Sequence, residues 1–449
     1  MRRRAWAAAA LAFLMVCVAG QAAVGMRASR TASVTGDEPF YLLTTQSLVS
    51  DGDLDLRDDY RNHEERRFWD GTIDLWKQMV PTDDGRLLAP HDPGLALLIL
   101  PAYKAAGLRG VQRFLVVLWA LAMALAALLA MRFRAPPWAA VLAAVAIGAG
   151  APGIVYASQV YPEGPAALAV ALALLLATDH RPHPFLLAAA IVALPWLGTK
   201  YLALAVLAAG VYLYRHRDVR VVAILALAGI HYLWWHLHTF GGLTPYATNV
   251  IYSGEGSARI ITDHLGQGGR SYRLYGLFLD ARFGLFRWLP FAPLAILGLA
   301  RRTLLPAATI AITVLVGTFA SITMMGWWFP GRMLVAGFPA LVVLAALGAA
   351  RFPRTAAVLA AYSLAIAAAT AYSAHHGGIR LAVDPFTLGP PLLPHQLFPD
   401  FRRFGLHEIA LSTSWVAILA VGRSIALHGK APPSRRQLPR LPRLLRPAD

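Results

Sequence analysis

The chain opens MRRRAWAAAALAFLMVCVAG (residues 1–20), three arginines followed by an unbroken apolar run. A membrane-spanning helix needs about 20 such residues, and the run is of that length. The same pattern also fits a signal peptide, with the stretch around Gln21–Ala23 as a cleavage site; on either reading the segment that follows lies outside the membrane. The single cysteine, Cys17, falls inside the run. It supports no disulfide, and Val16 before it does not suit a lipoprotein cleavage site.

The rest of the chain repeats this first stretch. It is 57% hydrophobic and 14% charged, where soluble domains carry roughly 25% charged residues. Apolar runs are predicted near 112–131, 138–158, 164–178, 185–199, 200–214, 220–240, 283–300, 304–325, 333–350, 355–373 and 407–423. With the first helix this is an all-α polytopic membrane protein of about twelve spans. Basic residues fall at Arg132 and Arg134, Arg181, Arg215 to Arg220, Arg301 and Arg302, Arg351 and Arg354, and along the tail. An even number of spans with both termini inside puts each of these clusters on the cytoplasmic side. The formal charge of +17 is then a topology signal, and no nucleic-acid partner is expected. The reading divides the chain into a first span (1–24), a first extracytoplasmic loop (25–111), a bundle (112–423) with outer loops at 241–282 and 374–406, and a basic tail (424–449) suited to anionic lipid. The spans at 185–214 form a short hairpin around GTK (198–200).

No cytoplasmic loop is long enough for a soluble nucleotide-binding domain, and no Gly-rich phosphate motif is present. An activated substrate is therefore expected to arrive through the membrane. The first outer loop holds fourteen of the 24 acidic residues. In TGDEPFYLLTTQSLVSDGDLDLRDDY (35–60), Asp37 is placed to cap a helix starting at Glu38 and Pro39 and running to about Val49. Both acids would lie at a helix N-terminus near the membrane surface, where the dipole favours ionised carboxylates. The acids of 51–74 read as a solvated loop balanced by Arg57, Arg61, Arg66 and Arg67. DGRLLAPHDPGLALLILPAYKAAG (84–107) reads as a polar turn, marked by His91 and Asp92, followed by an interfacial helix. Glu163 in YASQVYPEGPAALAV (156–170) and Lys200 are ionisable groups at membrane depth, where each is costly unless partnered. Arg332 in MGWWFPGRMLVAGFPAL (325–341) stands outside, against the charge bias, and a guanidinium fork suits phosphate. Arg270, Arg273 and Arg282 add outer cations. The three histidines of HYLWWHLH (231–238) read as interfacial.

Taken together, these stretches resemble the GT-C class of integral-membrane glycosyltransferases, in the branch of the protein mannosyltransferases and aminoarabinose transferases. GDEP resembles the acidic motif of that family's first outer loop. DGRLLAPHDPGLALLILPAY resembles the loop's second juxtamembrane helix. YASQVYPEGPAAL stands at the second outer-loop acid, with Glu163 where Asp is commoner. LGTKYLAL, HTFGGLTPY, LDARFGLFRWLPFAPL and WWFPGRMLVAGFPAL resemble later landmarks. The resemblance reaches about residue 350 and rests on order and topological side. The soluble C-terminal domain of some members has no counterpart.

The resemblance implies transfer of a sugar from a polyprenyl-phosphate carrier to an acceptor (lipid, glycan or protein) at the outer face of the cell membrane, with inversion. It implies Asp37 as general base, Glu38 as its partner, and Lys200, Arg332 and Arg282 as holders of the donor phosphate. Glu163 would be a ligand were a divalent metal ion used. His91, Asp92 and Tyr161 would line the donor or acceptor pocket. Two readings from other classes stand beside it. One is a transporter or flippase of a lipid-linked or anionic solute, which calls for charges deep within helices. The other is a scaffold protein that kept the fold and lost the site. Convergence of Asp37, Glu163, Lys200 and Arg332 separates catalysis from the scaffold.

Overall fold

A computed structural model describes residues 2–248, 270–321, 324–378, 381–384, 387, 395–401 and 405–428. Among these, every regular element is helical. The first span is α1 (Arg2–Ala23). The first loop folds into α2 (Glu38–Ser50) and the short α3 (Arg57–Asn62). α4 (Gly94–Arg132) joins the expected interfacial helix to the next span across a kink, with Ala106 at φ −154° and Gly107 at φ 54°. α5 (Pro137–Gly148) and α6 (Ala151–Ser158) are one apolar stretch bent by 64°. α7 (Glu163–Ala177), α8 (Pro184–Leu197), α9 (Leu202–His216) and α10 (Val219–Phe240) follow. Beyond the second outer loop come α11 (Leu304–Leu315), α12 (Phe338–Arg351), α13 (Pro353–His375) and α14 (Leu406–His428).

Local chemistry sets these boundaries. Pro184, Pro339 and Pro353 sit in the first turns of α8, α12 and α13, where the missing N–H costs nothing. The Asp218 side chain caps α10 by accepting from the Arg220 amide at 3.1 Å. The core is the contact of α4 with α1, α7 and α12. Alanines line these faces, which lets helix backbones approach closely in lipid. Trp119 is fully buried there, and its indole N–H donates to Gly148 O at 2.8 Å. α14 buries no residue at all, so its surface is left for lipid.

Seven helices among the described residues are long and apolar enough to cross a membrane, or eight if the bent pair counts as one span. The expectation of about twelve exceeds this for physical reasons. α7 and α8, at 15 and 14 residues, rise roughly 22 Å at 1.5 Å per residue, short of a ~30 Å hydrocarbon core. The stretch 283–300 holds only two four-residue helical turns, Leu285–Trp288 and Leu294–Leu297; Pro290 and Pro293 break it. The hairpin of α8 and α9 turns at Thr199–Tyr201, as its basic flanks require. Residues 249–269, parts of 379–404 and the tail beyond residue 428 lie outside the described residues.

Candidate active site

Two glycines place the first two charges. Gly36 has φ 61°, and a Cβ there would stand 2.5 Å from the Tyr161 hydroxyl. Gly331 has φ 84°. Left-handed backbone of this kind favours glycine, and the next residue in each case is a site residue, Asp37 or Arg332. Asp37 holds the N-cap position of α2, yet its side chain makes no cap hydrogen bond. Instead Arg332 Nη2 donates to Asp37 Oδ2 at 2.6 Å. The capping role expected of Asp37 is therefore not what its carboxylate does.

Arg332 bridges further. Its Nε donates to Glu163 Oε1 at 2.8 Å, and Lys200 Nζ donates to the same oxygen at 2.8 Å. The result is one chain, Asp37–Arg332–Glu163–Lys200, drawn from four separate stretches of sequence. Glu163 is 1% exposed and Arg332 7%. Ions so buried are stable only when paired and hydrogen-bonded. The Arg332 guanidinium also lies 4.2 Å from the Tyr161 ring centre and 5.0 Å from that of Trp328, a cation–π arrangement. Lys200 spends one of its three N–H donors on Glu163 among the described residues.

Glu38 has a different role. Its Oε1 accepts from the Val160 amide at 2.9 Å, and its Oε2 from the Thr35 amide at 3.1 Å. The Tyr161 hydroxyl donates to Thr35 O at 3.2 Å. Glu38 thus ties the segment that delivers Asp37 to the loop that delivers Glu163. It is a positioning residue. Burial pushes its carboxyl up to about 7, against the two backbone N–H groups that favour the ionised form. Burial also acts to raise Asp37, but the Arg332 and His91 charges and the Arg332 and Gln78 hydrogen bonds outweigh it and hold Asp37 well below the usual carboxylate range.

His91 joins through Gln78, a residue that no sequence motif marks. Gln78 Nε2 faces Asp37 Oδ1 at 3.4 Å, and Gln78 Oε1 faces His91 Nε2 at 2.9 Å. Burial lowers the His91 imidazole, with the Asp37 charge opposing. Asp92, its neighbour, faces away from this chain. Its Oδ2 accepts from the Thr199 amide at 3.0 Å and hydroxyl at 3.2 Å; its Oδ1 accepts from the Tyr232 hydroxyl at 2.8 Å and pairs with His236 Nε2 at 2.9 Å. Asp92 bolts the turn carrying Lys200 to α10, and this role replaces the expected pocket-lining one. His236 is fully buried, which corrects the interfacial reading of the HYLWWHLH histidines for that one position. An aromatic face of Trp196 and Trp235 surrounds it.

The remaining candidates lie elsewhere. Arg282 pairs bidentately with Asp400 through Nη1–Oδ1 and Nη2–Oδ2. Its ion-pair partner is none of the four chain residues, so the structure gives no support to a shared phosphate site. Arg273 donates to Ser321 O at 2.8 Å and Arg270 to Phe319 O at 2.7 Å; both clamp the turn after α11. Glu163 faces two cations on one oxygen, while its other oxygen is buried with no hydrogen-bond partner, and among the described residues it belongs to no close set of three metal-ligating side chains. A pocket opens beside the chain, lined by Lys200 and Arg332 together with apolar Leu204, Val316, Met333 and Ala336 and polar Tyr201, Thr313 and Ser321. Such a lining offers two cations among mixed apolar and hydroxyl-bearing side chains.

No family model, curated protein or solved structure matches this chain.

Proposed function

We propose that the chain is a GT-C-like membrane glycosyltransferase. It would move a sugar from a polyprenyl-phosphate carrier to an acceptor hydroxyl at the extracytoplasmic face of the cell membrane, with inversion. The observation that carries this reading is the chain Asp37–Arg332–Glu163–Lys200 beside a pocket that Lys200 and Arg332 line together with Leu204, Val316, Met333 and Ala336. A lipid phosphate needs both kinds of surface at one place.

In the proposed reaction the acceptor oxygen attacks the anomeric carbon while Asp37 takes the hydroxyl proton. The bond from that carbon to the phosphate oxygen breaks, and its electron pair leaves on the polyprenyl phosphate. Lys200 and Arg332 offset the charge that develops there. A base on one face and a stabilised leaving group on the other are what an oxocarbenium-like centre requires. Arg332 supplies a coupling. A bound phosphate competes with Asp37 for the guanidinium, and every bit of that cation drawn away makes the carboxylate a better base. Donor binding would thereby switch on the base. Glu163 holds the two cations in register, and no step passes through a metal.

A transporter or flippase is the second reading. It is favoured by a further set of buried charges, Asp280, Arg282, Arg287 and Asp400, although these stand in turns and loop segments and not within membrane-spanning helices, where carriers place theirs.

The test is transfer by the purified protein in nanodiscs, supplied with radiolabelled polyprenyl-phosphate sugars and a membrane extract as acceptor. Label entering product with the native chain and not with Asp37→Asn supports the reading. Absence of both transfer and donor binding overturns it and turns attention to transport.

A further inference from the structure

The C-terminal end of α2 carries a second acidic group, unrelated to the chain of ion pairs at its N-terminal end. Asp51, Asp58 and Asp59 each offer a carboxylate oxygen, and these oxygens lie within 4.8 Å of one another. That span matches the width of a Ca²⁺ coordination sphere, about twice a 2.3–2.6 Å Ca–O distance. An acidic cluster alone is unremarkable in a solvated loop. Here, however, Asp59 is only 1% exposed, and neither of its carboxylate oxygens has a hydrogen-bond partner.

That condition is costly. A buried carboxylate with no donor forfeits its hydration and receives nothing in return. The Ser47 hydroxyl lies near the Asp59 carboxyl, but its close hydrogen bonds go to the Asp53 carbonyl and carboxylate, both at 3.1 Å. Arg57 is engaged by Asp55 at 2.6 Å, and Arg67 by Glu64. The only groups facing the Asp59 oxygens from within the cluster are two more carboxylates. Three converging carboxyl groups, one of them buried with no close hydrogen bond, call for a cation that the chain itself does not provide.

We propose that Asp51, Asp58 and Asp59 bind a divalent cation of the Ca²⁺ class, which joins the end of α2 to α3. The ligands are hard oxygens, as Ca²⁺ takes, and Asp51 is exposed and Asp58 partly so, which leaves room for water to complete the sphere. Three protein ligands give a weak site, with a dissociation constant on the order of 10⁻⁴–10⁻³ M, typical of extracellular modules. The ion has a structural role. It lies at the far end of a 13-residue helix, roughly 20 Å from Asp37 at 1.5 Å per residue, and it anchors the helix whose other end presents that carboxylate. This inference does not rest on the proposed reaction.

The experiment is equilibrium dialysis of the full chain in nanodiscs against ⁴⁵Ca²⁺, titrated through that range. Native protein should bind one ion saturably, and binding should be lost in Asp58→Asn and Asp59→Asn. It should persist in Asp83→Asn, which removes an exposed acid of the same loop. Ca²⁺ should raise the thermal midpoint of the native chain and leave that of Asp59→Asn unmoved. If Asp59→Asn does not fold, the exposed Asp51→Asn serves in its place. No saturable binding by the native chain, or binding unchanged in both Asp58→Asn and Asp59→Asn, overturns the proposal.

Discussion

At its N-terminal end α2 presents Asp37 to Arg332 at 2.6 Å, and the carboxyl is held well below the usual range despite its burial. At its C-terminal end the same helix meets Asp59, whose carboxyl is pushed up to about 7 by burial and by the neighbouring Asp58 and Asp51 charges. Asp59 is enclosed and Asp37 is partly buried. The difference is the partner: a guanidinium that reaches Asp37 from nearly three hundred residues away in sequence, against none for Asp59. Burial alone therefore does not decide the state of an acid in this protein. The cation beside it does, and where the chain provides no cation an outside ligand is called for.

The largest expected effect comes from removing the cation at the first end. Arg332→Ala leaves Asp37 and Glu163 without the charge between them and should cost about 3–5 kcal/mol in denaturant unfolding, as breaking a buried pair does. Arg332→Lys should recover only part of this, because an ammonium cannot reproduce the two-sided fork. A cost below ~1 kcal/mol for Arg332→Ala would break the contrast between the two ends.

Asp37→Asn should lower sugar transfer by about 10²–10⁴-fold, the usual share of a general base, while far-UV circular dichroism and gel filtration stay native. Normal turnover would remove Asp37 from the reaction.

Glu38→Gln tests the acid that lies between these extremes. Its folded pKa of about 7 exceeds the ordinary 4.5, so between those values the folded state holds the proton that the unfolded state has lost. Its contribution is therefore fully present below the ordinary value and lost as pH rises towards 7. In Glu38→Gln this slope should vanish, on top of a uniform loss of about 1–3 kcal/mol from setting an amide against the Val160 and Thr35 N–H groups. Parallel pH–stability curves for the two proteins would refute the assignment.

The smallest effect belongs to the second end. In chelator, Asp59→Asn should be neutral or stabilising by up to ~1 kcal/mol, since it removes an unpartnered buried charge. A loss comparable to that of Arg332→Ala would mean that Asp59 already has a partner of its own.

The class of the fold was legible from composition and run length, because lipid admits only helices or closed barrels and the apolar runs are helical in length. The start of α2 followed from Glu38 and Pro39, a local signal, while the spans of α10 and α13 were legible only as apolar runs. Asp37, Glu163, Lys200 and Arg332 could be nominated one by one: Asp37 as an acid at a helix N-terminus, Glu163 and Lys200 as ionisable groups where each is costly, and Arg332 as an outer cation against the charge bias. Their pairing could not. Ion pairs between residues 37 and 332, or 163 and 200, depend on how α2, α7 and α9 pack, and no local pattern encodes that. For the same reason Gln78 carried no signal, Asp92 read as a turn residue, and His236 read as interfacial until packing showed it buried against Asp92. The break of 283–300 into short turns and the enclosure of Asp59 are likewise decided by neighbours in space. Sequence by itself determined the solvent this protein lives in and the charges it must keep. Only the tertiary structure decided which of those charges satisfy one another, because the energy of a buried ion depends on its partners within a few ångströms, and those partners are assembled by the fold.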